Sequence, residues 1–326
     1  MSKHKVLPTM GLKPKPFENS DEAKEPHLKR CRNNATYSNR NNRENKKKKD
    51  DEESTSSSKH IVFDEDVSKG IEVVPVSMVN DVDCKKVPVF RYITRMIYPK
   101  WCNPVKGPYV GCNCTGECSD SVKCFCALKN EGKIPFDKNK AIRTAEQDII
   151  YECGPYCKCS SSCRNRVSQN GIKFKLQIFK TKTKGWGVRS HNRIPAGSFV
   201  CEYLGEIIDD EEAVKMIDND QYLFNIGNNL SGDIYGNYTI NADHYGNVAR
   251  FINHSCSANL FCQRVLYDHD DGRIPHMMLF AARDIPKMQE LTLDYHYEID
   301  QVIDSNGKVK KKKCYCGALE CCGRLY

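Results

Sequence analysis

A chain of 326 residues with 39% apolar side chains can bury a real core, as one large domain or two to three small ones, which excludes a wholly unfolded protein. The opening MSKHKVLPTM lacks the apolar core of a signal peptide and no apolar run approaches the roughly 20 residues that cross a bilayer, so the chain reads as soluble and intracellular. Nineteen cysteines in a reducing compartment do not make a disulfide framework, which leaves metal binding with zinc as the default ion, and the net charge of +8 is concentrated in lysine runs at Lys46–Lys49 and Lys310–Lys313.

From Met1 to about His60 the chain is poor in aliphatic residues and rich in Lys, Asn, Arg, Glu and Ser, so burial cannot offset its ordering entropy and we expect a disordered basic tail. Its lysine run reads first as a solvated tail, and next as a nuclear-import signal or a non-specific phosphate contact to DNA. Patterning begins at IVFDEDVSKGIEVVPVSMVND, where Ile61–Phe63 and Ile71–Val79 read as extended segments broken at Pro75 and packed on the residues C-terminal to them.

Between Cys112 and Cys163 lie nine cysteines: Cys112, Cys114, Cys118, Cys124 and Cys126, then Cys153, Cys157, Cys159 and Cys163. Nine thiolates supply two closed tetrahedral sites with one to spare, or three zincs if three sulfurs are shared, because nine plus three makes the twelve ligand positions needed. The spacing favours the shared cluster, whose net charge of minus three Lys123, Lys158 and Arg164 would offset. Either way the metal supplies folding energy and no open catalytic position is evident.

From Phe174 onward, FKLQIF, SFVCEYLGEI, YLFNI, YTINA and MMLFAAR are short β-like runs separated by Gly, Asn, Asp and Pro. One helix is expected at DDEEAVKMID, capped by Asp209 or Asp210. Strands that do not alternate with long helices exclude a doubly wound parallel sheet. Near the C-terminus Cys314, Cys316 and Cys321 are one ligand short of a tetrahedral site. Spacing leaves Cys322, Cys201, Cys256 and Cys262 open as the fourth.

GWGVR (185–189), EYLGEI (202–207), YLF (222–224), GNVARFINHSC (246–256), ELTLDY (290–295) and CYCGALEC (314–321), behind the nine-cysteine cluster, together resemble a SET-domain protein lysine methyltransferase. The resemblance runs from about Ile61 to Tyr326, and its nearest branch is the Suppressor of variegation group that methylates lysine 9 of histone H3. VLYDHDDGRIPHMMLFAARDIP and KVKKKKCYCGALEC are similar to the plant KRYPTONITE-like members. It implies a mainly β SET-domain β-clip with short helices and a pseudoknot, preceded by a tri-zinc pre-SET module and closed by a zinc-binding post-SET tail. The divisions become a tail at 1–60, an N-terminal extended segment at 61–109, pre-SET at 110–171, SET at 174–297 and post-SET at 310–326.

Further implications concern residues. S-adenosylmethionine is the implied methyl donor, lined by Gly185, Trp186, Gly187, Tyr222, Arg250, Asn253 and His254, with the two glycines allowing close backbone approach. Tyr203 and Tyr295 are the implied catalytic residues, and His254 is not assigned as a base. Cys256 is the implied fourth ligand beside Cys314, Cys316 and Cys321. The partners are the histone H3 tail and the nucleosome, in the nucleus, with heterochromatin and gene silencing as the outcome. The tail is expected as an added strand between YLFNI and GNVARF, with Asp209, Asp210, Glu211, Glu212 and Asp220 either attracting it or forming a solvated face. Other readings are a non-histone lysine substrate and an inactive SET-like scaffold on chromatin.

Two departures from the family stand out. Plant members carry a methyl-DNA-binding domain upstream, for which the first 60 residues are too short and too polar, and Leu293 stands where an aromatic residue is usual. A leucine cannot hold an amine through a hydroxyl, which points to di- or trimethylation.

Overall fold

Strands carry the fold, as the β-branched and aromatic runs require. The computed structural model describes residues 61–83, 85–104, 110–143, 147–226 and 238–326, so the expected disorder and DNA contact of residues 1–60 lie outside the described residues. FKLQIF supplies the strand Leu176–Lys180, which turns through Gly185, at φ +74°, into the antiparallel strand Trp186–Ser190.

These two lie inside a ten-stranded sheet. On one side Ser77–Asn80 pairs in parallel with Leu176–Lys180, followed by Ile61–Asp64, while Ile71 and Val73 of the expected extended segment are exposed. On the other side Trp186–Ser190 meets Glu290–Leu293, and the sheet continues through Leu260–Leu266 and His276–Ala281 to Phe199–Glu202. SFVCEYLGEI breaks after Glu202, and Glu206–Asp209 joins a second sheet in the order Glu206–Asp209, Tyr238–Asn241, Leu223–Asn225. The main core buries Leu176, Ile178, Val188, Ile207, Ile240 and Leu291 between these layers.

Helices are short. The expected one spans Asp210–Lys215, and Asp209 caps it by accepting the Glu212 N–H at 2.7 Å. Among the described residues Ala127 and Ile134 are the buried apolar partners of seven of the cysteines, while Phe136, Ile142 and Ile150 of the same stretch pack into a separate cluster with Phe199, Val265 and Phe280. Apolar burial within the cysteine cluster itself is therefore slight, which leaves sulfur to hold it.

Candidate active site and metal centres

The nine cysteines converge from Gly-, Ser- and Asn-rich loops with little regular structure, and none forms a disulfide. Their sulfurs fall into overlapping foursomes: Cys112, Cys114, Cys118 and Cys124; Cys112, Cys126, Cys153 and Cys157; and Cys112, Cys118, Cys153 and Cys159. Cys163 lies against the last group, its sulfur accepting the Cys118 N–H at 3.4 Å. Cys112, Cys118 and Cys153 recur between groups, with sulfur separations of 3.5 Å for Cys112–Cys118 and 3.6 Å for Cys118–Cys153. Thiolates around a tetrahedral zinc sit about 3.8 Å apart, so the donors fit three ions that share three sulfurs. Two isolated sites would not share ligands. Two arginines stand against the cluster: the expected Arg164 donates to the Cys118 carbonyl at 3.1 Å and to Asp120 at 3.0 Å, and Arg166, not singled out in the sequence, donates to the carbonyls of Cys153, Gly154 and Cys157.

The second centre resolves the open fourth ligand. Sulfurs of Cys256, Cys314, Cys316 and Cys321 lie within 4.8 Å of one another, whereas Cys201 is in the main core and Cys322 is exposed. Cys256 reaches this place because Asn253–His254 runs parallel to Thr292–Leu293 and the Ser255 N–H continues the pairing to the Leu293 carbonyl at 3.1 Å. The amide of Asn253 ties that crossing together, donating to the Trp186 carbonyl and to Glu290 Oε1, both at 2.9 Å. Gly187 makes room for it. A Cβ there would lie 3.2 Å from the Asn253 amide nitrogen and 2.9 Å from Glu290 Oε1.

Above the crossing opens a cavity of about 700 Å³, within the range of small-molecule sites. It gathers Gly185, Trp186, Tyr222, Arg250, Asn253, His254 and Tyr295, and Lys311–Tyr315 and Leu325 of the C-terminal segment form part of its wall. Gly187 is not in that wall, and its part is to clear space for Asn253 and Glu290. A second, much narrower cavity of about 10 Å³ shares Gln221, Arg250, Ile252 and Tyr295 with the first and adds Tyr203, Leu279 and Leu293. The two predicted tyrosines thus meet at the junction of a wide chamber and a narrow one.

Their hydroxyls are fixed. Tyr203 donates to the Tyr222 carbonyl at 3.0 Å, and Tyr295 donates to the Ile252 carbonyl at 2.7 Å. Burial raises both phenols far above the ordinary tyrosine range, so at neutral pH each remains a hydroxyl and neither is a phenolate base. Burial lowers the His254 imidazole, whose Nδ1 accepts the Tyr295 N–H at 3.1 Å while Nε2 lies 3.5 Å from Cys256 Sγ. His254 is a bracket between the tyrosine and the cysteine centre. The guanidinium of Arg250 stacks 3.8 Å from the Tyr222 ring centroid and donates to the carbonyls of Ala242 and Asp243, and its buried Nη1 has no protein partner among the described residues. Arg250 therefore props Tyr222 and leaves one donor for an occupant of the cavity.

The acidic residues divide by environment. Asp209 is spent as a helix cap, Asp210 accepts from Thr239 at 2.8 Å, and Asp220 is buried and accepts from Lys310 at 3.1 Å, which leaves Glu211 and Glu212 exposed. Leu223–Asn225 is an edge of its sheet among the described residues, as an added strand requires, but GNVARF is a buried 3₁₀ turn at Val248–Phe251 and offers no facing ladder. Site residues that sequence reasoning did not pick out include Lys85, Lys86, Lys180, Gln221, Lys184 and Glu290, the last two paired at 2.6 Å. Gln221 and Lys184 adjoin quoted motifs and Glu290 opens one, ELTLDY, which was the available signal for these three.

Comparison with known proteins agrees with this geometry. Residues 185–296 match the SET domain family and residues 68–166 match the Pre-SET motif family. The Arabidopsis thaliana histone-lysine N-methyltransferase, H3 lysine-9 specific SUVH5, is 53% identical over 261 residues, 80% of this chain and 32% of that protein. The structure of KRYPTONITE in complex with mCHH DNA, an H3(1–15) peptide and S-adenosylhomocysteine (SAH) superposes with a TM-score of 0.73 at 42% identity, covering 81% of this chain and 54% of that one. The Neurospora SET-domain histone lysine methyltransferase DIM-5 is matched over 100% of its chain and 74% of this one, at 34% identity and a TM-score of 0.61. The chain thus spans about a third of SUVH5 and about half of the KRYPTONITE chain. With its SET core, its cysteine-built pre-SET module and a relative matched over its full length, this chain belongs to the SET-domain histone lysine methyltransferase family.

Proposed function

We propose that the chain transfers methyl groups from S-adenosylmethionine to lysine 9 of histone H3, on chromatin in the nucleus. The observation that carries this reading is the wide cavity of about 700 Å³, large enough for the donor, with Tyr295 in its wall beside a void of about 10 Å³ that Tyr203 and Leu293 also line, room for one small group such as an amine. The donor, when bound, supplies a sulfonium methyl that an amine lone pair can displace. What the chain must do is bind, align and desolvate.

Alignment comes from rigid parts. Tyr295 is held at its hydroxyl by Ile252 and at its N–H by His254, and Tyr203 is held by Tyr222, so the two phenol oxygens stand as preset acceptors for the amine protons. A lysine amine has a pKa of roughly 10.4 and reacts only when neutral, and it is the desolvation of a buried site, rather than its acceptor oxygens, that favours the neutral form over the cation. Leu223–Asn225, buried but the edge of its sheet among the described residues, suits an added peptide strand that would present such a side chain. Leu293 borders the narrow cavity and has no hydroxyl to hold a partly methylated amine, which favours repeated transfer to di- or trimethyl-lysine.

Zinc has two places in this scheme, both structural. The nine-cysteine cluster would hold three ions and fix the pre-SET module, and Cys256, Cys314, Cys316 and Cys321 would hold one more and keep the C-terminal segment on the cavity wall. SUVH5 is described as specific for lysine 9 of H3, and KRYPTONITE is seen with an H3 peptide and the demethylated donor, which supports the choice of substrate and donor. The test is transfer of label from S-adenosylmethionine to core histones. Label on H3 that disappears with Tyr295→Phe, donor binding being retained, is the expected result. Donor binding without transfer to any histone would favour an inactive scaffold.

A further inference from the structure

The wide cavity carries an unexplained charge. Seven lysines and one arginine contribute to its wall, and no aspartate or glutamate does. Two of the lysines are neutralised from behind, Lys180 by Asp83 at 3.8 Å and Lys184 by Glu290 at 2.6 Å. The other five, Lys85, Lys86, Lys311, Lys312 and Lys313, are exposed and have no ion-pair partner among the described residues. Nearby carboxylates are already committed, Asp300 to Arg324 at 2.8 Å and Asp220 to Lys310 at 3.1 Å.

Neither the methyl donor nor the histone tail can balance these charges. S-adenosylmethionine carries a sulfonium, an ammonium and one carboxylate and so is itself cationic, and the tail of a histone is basic. Five like charges brought to one mouth from residues 85–86 and 311–313 make a positive potential that attracts an anion, with Asp83 and Asp300 offsetting Lys85 and Lys311 only in part. A repeating anion suits a row of exposed lysines better than a single one does.

We infer that Lys85, Lys86 and Lys311–Lys313 form a docking site for the phosphodiester backbone of duplex DNA at the rim of the cavity. The choice of duplex DNA rests on the proposed histone substrate, beside which such DNA lies, while the demand for a polyanion rests on the charges alone. Lysines that contact phosphates release counterions, so each contributes roughly 0.9 to the slope of log affinity against log salt, without regard to sequence.

The test is fluorescence anisotropy of a labelled duplex of mixed sequence with the full chain at several salt concentrations. Changing all five lysines to glutamine should weaken binding at least about ten-fold and lower the salt slope by about 4, and changing all five to arginine should restore both. Unchanged zinc content and melting temperature show that the variants fold. Lys46, Lys47, Lys48 and Lys49 changed to glutamine serve as the comparison: if only that variant loses binding, the inference is overturned. Tighter binding of an RNA hairpin than of the duplex through the same five lysines would overturn the choice of DNA. DNA binding that depends on these lysines in a chain without methyl transfer would keep the docking site and remove the proposed activity. Methyl transfer with DNA binding indifferent to all five would do the reverse.

Discussion

Replacing Cys256 by alanine tests the link between metal and cavity. The substitution removes one sulfur of the foursome with Cys314, Cys316 and Cys321. A structural zinc contributes an apparent 10–16 kcal/mol, so losing one of four equal ligands forfeits about 2.5–4 kcal/mol, or about 10²–10³ in affinity. Other anchors of the C-terminal segment are weaker. Arg324–Asp300 spans 2.8 Å but its side chains are 31% and 56% exposed, worth about 0–1 kcal/mol, and the bonds between Lys312 and residues 325–326 lie within the segment itself. Among the described residues, Lys310–Asp220, with side chains 19% and 8% exposed, and the buried Tyr326, its ring 5.0 Å from that of Tyr297, are the firmer ties to the SET core. Once zinc is lost, Lys311–Tyr315 and Leu325 should leave the cavity wall. Elemental analysis should then find one zinc fewer per chain than in the parent, and the KM for S-adenosylmethionine should rise at least about ten-fold. Loss of that zinc with an unchanged KM would break the link, as would full zinc retention.

Particular contacts set three further expectations. Asn253→Ala removes two 2.9 Å hydrogen bonds, one to a charged partner, so stability should fall by about 2–4 kcal/mol and donor affinity with it; thermal melting and donor titration check this, and an unchanged donor affinity contradicts it. Leu293→Tyr places a hydroxyl and a ring beside Tyr203 and Tyr295, and product analysis should shift towards monomethyl-lysine; continued trimethylation would show that Leu293 does not govern the product. His276 is buried, and although burial alone would lower it, Glu202 at 2.7 Å and Asp268 at 2.9 Å raise it to about 10. Because that value lies above the unfolded one of about 6.5, its stabilisation is complete below pH 6.5 and is lost as the pH climbs through about 10. The stability gap between the parent and His276→Gln should therefore narrow across that window, and a constant gap would exclude the buried ion pair.

Much of the site was legible because its chemistry is local in sequence. RFINHSC holds Arg250, Asn253, His254 and Cys256 within seven residues, and each reaches a different neighbour: Tyr222, Trp186, Tyr295 and the C-terminal sulfurs. Cysteine arithmetic likewise pointed to overlapping groups of sulfurs that could hold metal, since ligand number is fixed by the metal and not by the fold. Strands were readable where β-branched runs are bounded by turn residues, as at FKLQIF and YTINA. The features that were not legible depend on tertiary placement. Nothing in GNVARF announces a 3₁₀ turn, and nothing in the spacing shows Asp210 and Asp220 turning inward to Thr239 and Lys310. Arg166 could not be seen to join Arg164 beside the cysteines, because its contact rests on which side of one turn faces Cys153.

Lysine 9 methylation itself is read most plainly by mass spectrometry of an H3(1–15) peptide after incubation with the chain and S-adenosylmethionine. Two or three added methyl groups are expected on lysine 9, none on a peptide with arginine at that position, and none with the Tyr295→Phe chain. Methyl groups on another lysine, or undiminished transfer by Tyr295→Phe, would contradict the proposed activity.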